Sequence, residues 1–292
     1  MKPDPRFQRQ SKLFWANVRL ISQHVGYTKR GAGVISVPSI AEIAAAFDAL
    51  SLSTDHIIKA RGKPTQFGEA LAAYFQFRAD VLNNFVEPRL MDGERAQREF
   101  KRLKQQLRPN CPLPMNKQTG KKKAPAFLTG ITNMLIAAQA KGLECCFDPR
   151  ELTTITRAGV PVRTLARRVD GAFPSTINPV AVWEIKEYYY TTTFGSRVAD
   201  GVYETLLDGM ELEELRQNEN IEVLHYLMLD AHYTWWDCGR SYLCRVIDML
   251  HMGYVDEVLF GYEVIERLPA LVKEWVKLAR KRPALAPPAG HG

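Results

Sequence analysis

The order of helices and strands in the second half of the chain constrains its fold most. From residue 127 onward, the spacing of apolar residues predicts helix, strand, strand, helix, strand, helix, strand and helix. These predicted elements lie within 127–141, 165–173, 180–190, 197–215, 221–236, 241–251, 255–262 and 268–282. A hairpin followed by alternating elements buries its apolar faces when helices cover a sheet. The sequence therefore predicts an α/β fold with a central mixed β-sheet flanked by helices.

The first half of the chain predicts a mainly helical region. Amphipathic patterns favour helices over 39–50, 54–60, 65–85 and 94–107, with Ser39 as an N-cap and Glu42 at the capping-box spacing. Four prolines and a glycine then interrupt the pattern between residues 108 and 125. The expected organisation is a basic helical region at 1–107, a linker or loop at 108–125, an α/β region at 126–282 and a disordered tail at 283–292.

Charge is divided unevenly between the two halves. Residues 1–126 carry 22 Lys and Arg against 10 Asp and Glu, a balance of +12, whereas residues 127–292 carry 17 against 22, a balance of −5, which together give the net charge of +7. A basic half is typical of proteins that bind a polyanion. An acidic half that approaches the same polyanion needs a reason for its carboxylates, and metal binding is one.

Several protein classes do not fit this sequence. No window reaches the ~20 apolar residues of a membrane span, and the polar N-terminal segment lacks the apolar core of a secretory signal. The five cysteines include no CxxC pair, which argues against a zinc ribbon or a disulfide framework. No GxxxxGK[ST] phosphate loop is present. We therefore expect a cytoplasmic protein that neither crosses a membrane nor drives its reaction with ATP.

The residues with the clearest chemical signal lie in the predicted hairpin. Asp170 falls in its first strand, whereas Glu184 and Lys186 fall in its second, two residues apart and hence on one face. The strand around them, VAVWEIK, is apolar enough to be buried, and buried charges must be paired. A divalent cation such as Mg²⁺ between Asp170, Glu184 and the carbonyl of Ile185 would satisfy them, with Lys186 facing the water that the metal orients. The alternative is an ordinary exposed strand with an ion pair between Glu184 and Lys186.

This pattern resembles the PD-(D/E)XK nuclease superfamily, the fold of most type II restriction endonucleases. The motif reads Val169-Asp170, thirteen residues, then Glu184-Ile185-Lys186, with Val169 in place of the usual proline. The resemblance covers about 127–265 and implies a restriction-endonuclease-like core. It implies Asp170 and Glu184 as metal ligands and Lys186 as the group that positions the attacking water. A third acid from the preceding helix is common in the family, and Glu144 and Glu69 are weak candidates for it.

The resemblance also implies a function and partners. The first hypothesis is a Mg²⁺-dependent endonuclease that cuts double-stranded DNA at specific sites, acts as a homodimer and works beside a separately encoded methyltransferase. In this hypothesis residues 1–107 bind DNA and residues 126–282 cut it. Two alternatives stay open: a repair or anti-phage effector nuclease without sequence specificity, and a DNA-binding protein with an inactive nuclease-like core.

Further residues could contact the nucleic acid. They are Lys121, Lys122 and Lys123 in the linker, Arg197 at the start of a helix and Arg240 before another. A solvated hinge explains the lysine run equally well, a plain helix start explains Arg197, and an ion pair with Asp237 explains Arg240.

The remaining polar candidates favour structural roles. Asp200, Glu204 and Asp208 recur every four residues and predict a solvated helix face, unless Glu204 turns toward the metal. His225 and His232 lie among apolar residues and are expected to be structural.

Overall fold

The computed structural model describes residues 1–8, 10–28, 33–59, 62–116, 124–190 and 196–281. Its helices are α1 Lys12–Val25, α2 Ile40–Asp48, α3 Gln66–Val81, α4 Gly93–Leu107, α5 Phe127–Gln139, α6 Ser196–Glu219, α7 Arg240–His251 and α8 Glu263–Lys281. Short turns of π- and 3₁₀-helix extend α3 over Leu82–Val86 and Glu87–Arg89, and a second π-helical turn, Tyr233–Cys238, precedes α7. The strands are β1 Cys146–Phe147, β2 Thr154–Arg157, β3 Val160–Thr164, β4 Gly171–Phe173, β5 Ala181–Glu187, β6 Leu224–Asp230 and β7 Glu257–Phe260.

Five strands form a mixed sheet in the order β1-β4-β5-β6-β7. The pairs β1–β4 and β4–β5 are antiparallel, whereas β5–β6 and β6–β7 are parallel. The predicted α/β architecture with a central mixed sheet and a helical N-terminal region is therefore confirmed. Strand β5 is central, and six of its seven residues are buried.

Helices cover both faces of the sheet, because both faces of β5 carry apolar side chains. On one face, Trp183 stacks against Trp275 of α8 with ring centroids 5.5 Å apart, within an apolar cluster that also includes residues of α4 and α5. On the opposite face, Val182 packs in a cluster with Leu212 and Leu215 of α6. The side chains of Glu184 and Lys186 share the face of Val182, since alternate residues of a strand point the same way.

The N-terminal helices α1, α2 and α3 enclose an apolar cluster of their own. The predicted capping box at α2 is present, because Ser39 accepts from the backbone N–H of Glu42, whose carboxylate accepts from that of Ser39. A buried ion pair links this region to the sheet domain: Arg78 of α3 lies 3.0 Å from Asp248 of α7, and Tyr74 donates to the same carboxylate. The helical region is thus tied to α7 by charge as well as by packing.

Three local predictions were wrong. Of the helix predicted over 54–60, the described residues 54–59 form a turn instead, and Ile58 pairs with Pro64 in an isolated bridge. The first strand of the predicted hairpin is shorter than expected, since β4 covers only Gly171–Phe173 and Asp170 precedes it. Helix α8 begins at Glu263, five residues before the predicted start at 268.

Three further strands were missed. β2 and β3 form a separate hairpin through Ala158 and Gly159, both of which have positive φ. The two-residue strand β1 pairs with β4 and completes the edge of the main sheet.

Helix α4 packs against α5, and the ring of Phe100 fills the space above Gly130, where a Cβ atom would lie 2.5 Å from it.

Candidate active site

The edge of β5 next to β4 brings the two predicted carboxylates together. The backbone N–H of Asp170 donates to Oε1 of Glu184 over 3.2 Å and to the carbonyl of Trp183 over 3.1 Å. In return, the N–H of Ile185 donates to Oδ2 of Asp170 over 2.8 Å. Asp170 thus lies at the point where β4 diverges from β5, although it is not itself in a strand.

Lys186 is paired with two carboxylates. Its Nζ lies 2.8 Å from Oε2 of Glu184 and 2.9 Å from Oε2 of Glu204 on α6. The ion pair between Glu184 and Lys186 that the sequence left open is therefore present, but on a buried strand rather than an exposed one. The predicted trio of Asp170, Glu184 and Lys186 is contiguous in the structure.

Arg167 completes the charged cluster and was not predicted. Its guanidinium lies 3.0 Å from Glu184, 2.6 Å from Asp208 and 3.3 Å from Glu204. The solvated helix face predicted for α6 is accordingly wrong for Asp208, which is fully buried; Asp200 is exposed, and the partly exposed Glu204 turns toward Lys186. The sequence signal that was available is the four-residue spacing of these acids, which is compatible with a face turned toward a sheet that offers cations.

The electrostatics of this cluster follow from burial and pairing. Burial raises the pKa of Asp170 to about 6, helped by the charge of Glu184, and raises that of Asp208 to about 7. Burial acts in the same direction on Glu184, but the charges of Lys186 and Arg167 outweigh it and hold the pKa of Glu184 below its usual value. For Lys186, burial disfavours the ammonium, yet the carboxylates of Glu184 and Asp170 outweigh it and raise its pKa. Lys186 is therefore a hydrogen-bond donor that stays protonated at neutral pH.

A cavity of about 820 Å³ opens beside this edge, and Asp170, Ile185 and Lys186 form part of its wall. The odd-numbered residues of β5 direct their peptide groups toward β4, as the contacts of Trp183 and Ile185 with Asp170 demonstrate. The carbonyl of Ile185 therefore faces the same side as the carboxylate of Asp170, as the sequence hypothesis requires.

The oxygen atoms of Asp170, Glu184 and the Ile185 carbonyl are the type of ligand that a hard divalent cation prefers. Two carboxylates and a peptide carbonyl are oxygen ligands of the type that Mg²⁺ prefers, and Asp170 and Glu184 are two buried carboxylates whose mutual repulsion a cation would relieve. The set is nevertheless small: in the part of the chain that the structure describes, no group of three or more His, Cys, Asp or Glu side chains is arranged to hold a metal ion. Solvent or substrate oxygens would have to complete the coordination.

Glu187 is a further acid in the cavity wall that sequence reasoning missed. Its carboxylate accepts from the backbone N–H of Leu128 over 2.6 Å and from the hydroxyl of Thr129 over 3.2 Å. It thereby caps α5, whose N-cap residue Ala126 has no side chain that can do so. Burial raises the pKa of Glu187 to about 7. The available signal was the lack of a polar residue before the apolar helix.

Two of the five predicted nucleic-acid contacts, Arg197 and Arg240, lie within the described residues. Lys121, Lys122 and Lys123 lie outside the described residues. Arg197 is exposed at the start of α6. Arg240 donates to the carbonyl of Gly33 over 2.7 Å and stacks on Trp236.

The other candidates have structural surroundings. Glu69 and Glu144 are exposed, and neither lines the cavity. His225 is buried, with Nδ1 2.8 Å from the carbonyl of Tyr254. His232 lies between Glu87 and Asp237, at 3.1 and 3.4 Å, so Asp237 pairs with this histidine.

Comparison with known proteins gives two family matches. A model described as Domain of unknown function (DUF7687) matches residues 91–275, and one described as Domain of unknown function (DUF7690) matches residues 1–85. The first covers α4 through most of α8 and so includes the whole candidate site; the second covers α1 to α3. No curated protein and no solved structure matches the chain significantly. Among the helices of the described residues, none is long and apolar enough to cross a membrane.

Proposed function

The chain belongs to the DUF7687 family, a domain of unknown function, and from the geometry of its cavity we propose that it is a metal-dependent nuclease that hydrolyses phosphodiester bonds of DNA. The observation that carries the proposal is the meeting of Asp170, Glu184 and Lys186 at one edge of β5, beside a cavity whose wall includes Asp170 and Lys186, with Glu184 buried directly behind them. Structural ion pairs need no cavity beside them, whereas a reaction does.

The topology supports the likeness to the PD-(D/E)XK core. Along the chain, and apart from the separate hairpin β2–β3 inserted between β1 and β4, helix α5 is followed by the antiparallel strands β1, β4 and β5, then by α6 and by β6, which is parallel to β5. This is the order of helix, hairpin, strand, helix and strand that the resemblance implies. Asp170, just before β4, and Glu184, in the middle of β5, lie side by side, so that one ion could contact both.

In the proposed mechanism each residue of the chain has a distinct role. Asp170, Glu184 and the carbonyl of Ile185 would hold Mg²⁺, which when bound lowers the pKa of water and neutralises charge on the phosphate. Lys186 donates hydrogen bonds from a protonated ammonium, so it orients the attacking water and stabilises negative charge but does not accept a proton. Arg167 and Glu204 are positioning residues, since they fix Glu184 and Lys186 respectively.

The more specific hypothesis is the one the sequence suggested: a type II restriction enzyme that acts as a homodimer on double-stranded DNA beside a cognate methyltransferase. Digestion of unmethylated phage and plasmid DNA with Mg²⁺, in parallel with the Lys186→Ala protein, tests both the general nuclease function and the restriction-enzyme hypothesis. We expect cleavage by the native protein and none by the variant, while DNA binding is retained. Discrete bands would support the restriction enzyme, and a smear would support a nuclease without sequence specificity. Activity in both proteins would remove Lys186 from the mechanism.

A second candidate function is DNA binding by an inactive nuclease-like core. The observation in its favour is that Lys186 and Arg167 already neutralise Glu184, so that the carboxylate is paired without a metal. Absence of cleavage with both Mg²⁺ and Mn²⁺ on every substrate, together with DNA binding, would favour this candidate.

A further inference from the structure

The candidate site is recessed in a cavity and flanked by two walls. About 820 Å³ is within the range of pockets that enclose one small ligand, roughly 300–1,000 Å³. Residues 112–116 form one wall and residues 146–151 contribute to the other, with Asp170, Ile185 and Lys186 between them. A phosphodiester group must enter this space to reach Asp170.

Both walls are tied to the elements that carry the site. In the first wall, the carbonyl of Pro112 accepts from Nδ2 of the buried Asn133 on α5 over 2.8 Å, and the carbonyl of Pro114 accepts from the N–H of Ala126 over 2.9 Å. In the second, β1 pairs with β4, and the N–H of Asp148 donates to the carbonyl of Asp170 over 3.1 Å. These hydrogen bonds hold the walls against α5, its N-cap residue and the start of β4, so widening the cavity would break them.

The lining combines four acids, Asp148, Glu151, Asp170 and Glu187, with groups that one nucleotide of an unpaired strand can contact. Phe147 and Tyr188 offer aromatic surface, the amides of Asn116 and Asn133 offer hydrogen-bonding groups, and Arg150 offers a cation. In the described part of the chain Arg150 is exposed and forms no ion pair, so it can meet a phosphate. Aromatic surface combined with a cation is the usual chemistry of single-strand binding, and enzymes whose target is inaccessible in a duplex act on single strands or extrude the nucleotide.

We propose that the strand to be cut enters the cavity unpaired, so that the substrate is single-stranded DNA, as a free end, a flap or a locally opened duplex, in place of the fully paired substrate of the restriction-enzyme hypothesis. The inference rests on the proposed nuclease function and narrows its substrate. On this proposal a fully paired duplex whose strands cannot separate does not bring its phosphodiester to Asp170.

Cleavage of matched oligonucleotides tests this. Four substrates of one sequence are compared: a single strand, a forked duplex, a blunt duplex and a blunt duplex with covalent interstrand cross-links on both sides of the cleaved position. We expect cleavage of the single strand and the fork, and a rate at least about tenfold lower on the cross-linked duplex. Equal rates on the cross-linked duplex and the single strand would overturn the proposal while leaving the nuclease function intact.

A binding measurement distinguishes failure of the nuclease function from failure of the single-strand proposal. If none of the four substrates is cut, the nuclease function fails, and fluorescence anisotropy of the same four molecules then decides the substrate class alone. Tighter binding of the single strand than of the cross-linked duplex would support the cavity as a single-strand site. Equal or tighter binding of the cross-linked duplex would overturn it.

Variants of the lining give an independent check. Met115 is 39% exposed in the first wall, so both Met115→Trp and Met115→Ala should fold. The tryptophan should narrow the cavity, whereas the alanine should leave it open. We expect the tryptophan variant to lose single-strand binding or cleavage by about tenfold and the alanine variant to keep both. Arg150→Gln should raise KM for the single strand with little change in kcat. Unchanged behaviour of both Met115→Trp and Arg150→Gln would place the strand elsewhere.

Discussion

The ammonium of Lys186 lies between a carboxylate of its own strand and one from helix α6, 2.8 Å from Glu184 and 2.9 Å from Glu204. The two partners differ in burial, since the side chain of Glu184 is fully buried and that of Glu204 is 43% exposed. Their contributions to stability should differ for the same reason, because an exposed ion pair competes with water and a buried one does not.

Glu184→Gln should therefore destabilise the protein far more than Glu204→Gln. Loss of the Glu184 charge leaves two cations facing a neutral amide in a buried place, and we expect a cost of about 3 kcal/mol. Loss of the Glu204 charge removes a partly solvated partner, with a cost of about 1 kcal/mol or less. Urea denaturation of both variants measures the difference. Equal losses would mean that Glu204 is as important to the cluster as Glu184.

Asp170→Asn tests the metal site directly. The asparagine can keep the hydrogen bond from the N–H of Ile185 through Oδ1, so the fold should be preserved, but it removes the negative charge that a cation needs. We expect Mg²⁺ affinity, followed by titration calorimetry, and DNA cleavage to fall together. Thermal unfolding provides the control for folding. A variant that cuts at the native rate would remove Asp170 from the site.

Part of this site could be predicted from sequence, because its signal is local. The apolar run around Glu184 and Lys186 indicates burial, and the two-residue spacing puts both side chains on one face. Neither inference needs knowledge of distant residues. The capping box of α2 was predictable for the same reason, since Ser39 and Glu42 interact within one turn.

The parts of the candidate site that the sequence did not predict depend on how distant elements pack. The spacing of Glu204 and Asp208 is the same whether α6 turns them to water or to the sheet, and only the position of Arg167 and Lys186 decides between them. The cavity is likewise a product of tertiary structure, because its walls come from the loop after α4 and from a two-residue strand. No periodic pattern marks either.

Arg167→Gln should show how much stability the unpredicted cation Arg167 contributes, and Arg163→Gln is its matched control. The two side chains are almost equally exposed, at 23% and 24%. Arg167 pairs with the fully buried carboxylates of Glu184 and Asp208, whereas Arg163 pairs with Glu211 and Glu214, of which the closer partner is 56% exposed.

We expect Arg167→Gln to cost about 3 kcal/mol and Arg163→Gln less than about 1 kcal/mol, because only the first leaves buried carboxylates without their cation. Chemical denaturation at pH 8, where carboxylates are ionised, measures both. Adding Asp208→Asn to Arg167→Gln should recover part of the loss, since it removes one of the stranded charges. No recovery in the double variant would indicate that Arg167 acts through packing instead.

The last prediction concerns Asp230, a fully buried carboxyl at the end of β6. Its Oδ1 accepts from the N–H groups of Met91 and Ala231, and its Oδ2 accepts from the hydroxyl of Tyr189. Burial raises the pKa of Asp230 to about 7, although these hydrogen bonds oppose the shift. Between about pH 4 and 7 the folded protein therefore keeps a proton that the unfolded chain releases. Binding of this proton contributes fully to the free energy of unfolding below about pH 4, and the contribution is lost as the pH rises to 7.

Asp230→Asn removes this titration while keeping the hydrogen bonds, because its Oδ1 can accept both N–H groups and its Nδ2 can donate to Tyr189. Relative to the native protein, the variant should gain roughly 1–3 kcal/mol in free energy of unfolding as the pH rises from 4 to 7. Urea denaturation across this range measures the gain. Asp80→Asn, the same substitution at an exposed position on α3, is the control. If both differences vary with pH to the same extent, the Asp230 carboxyl is ionised in the folded protein throughout the range.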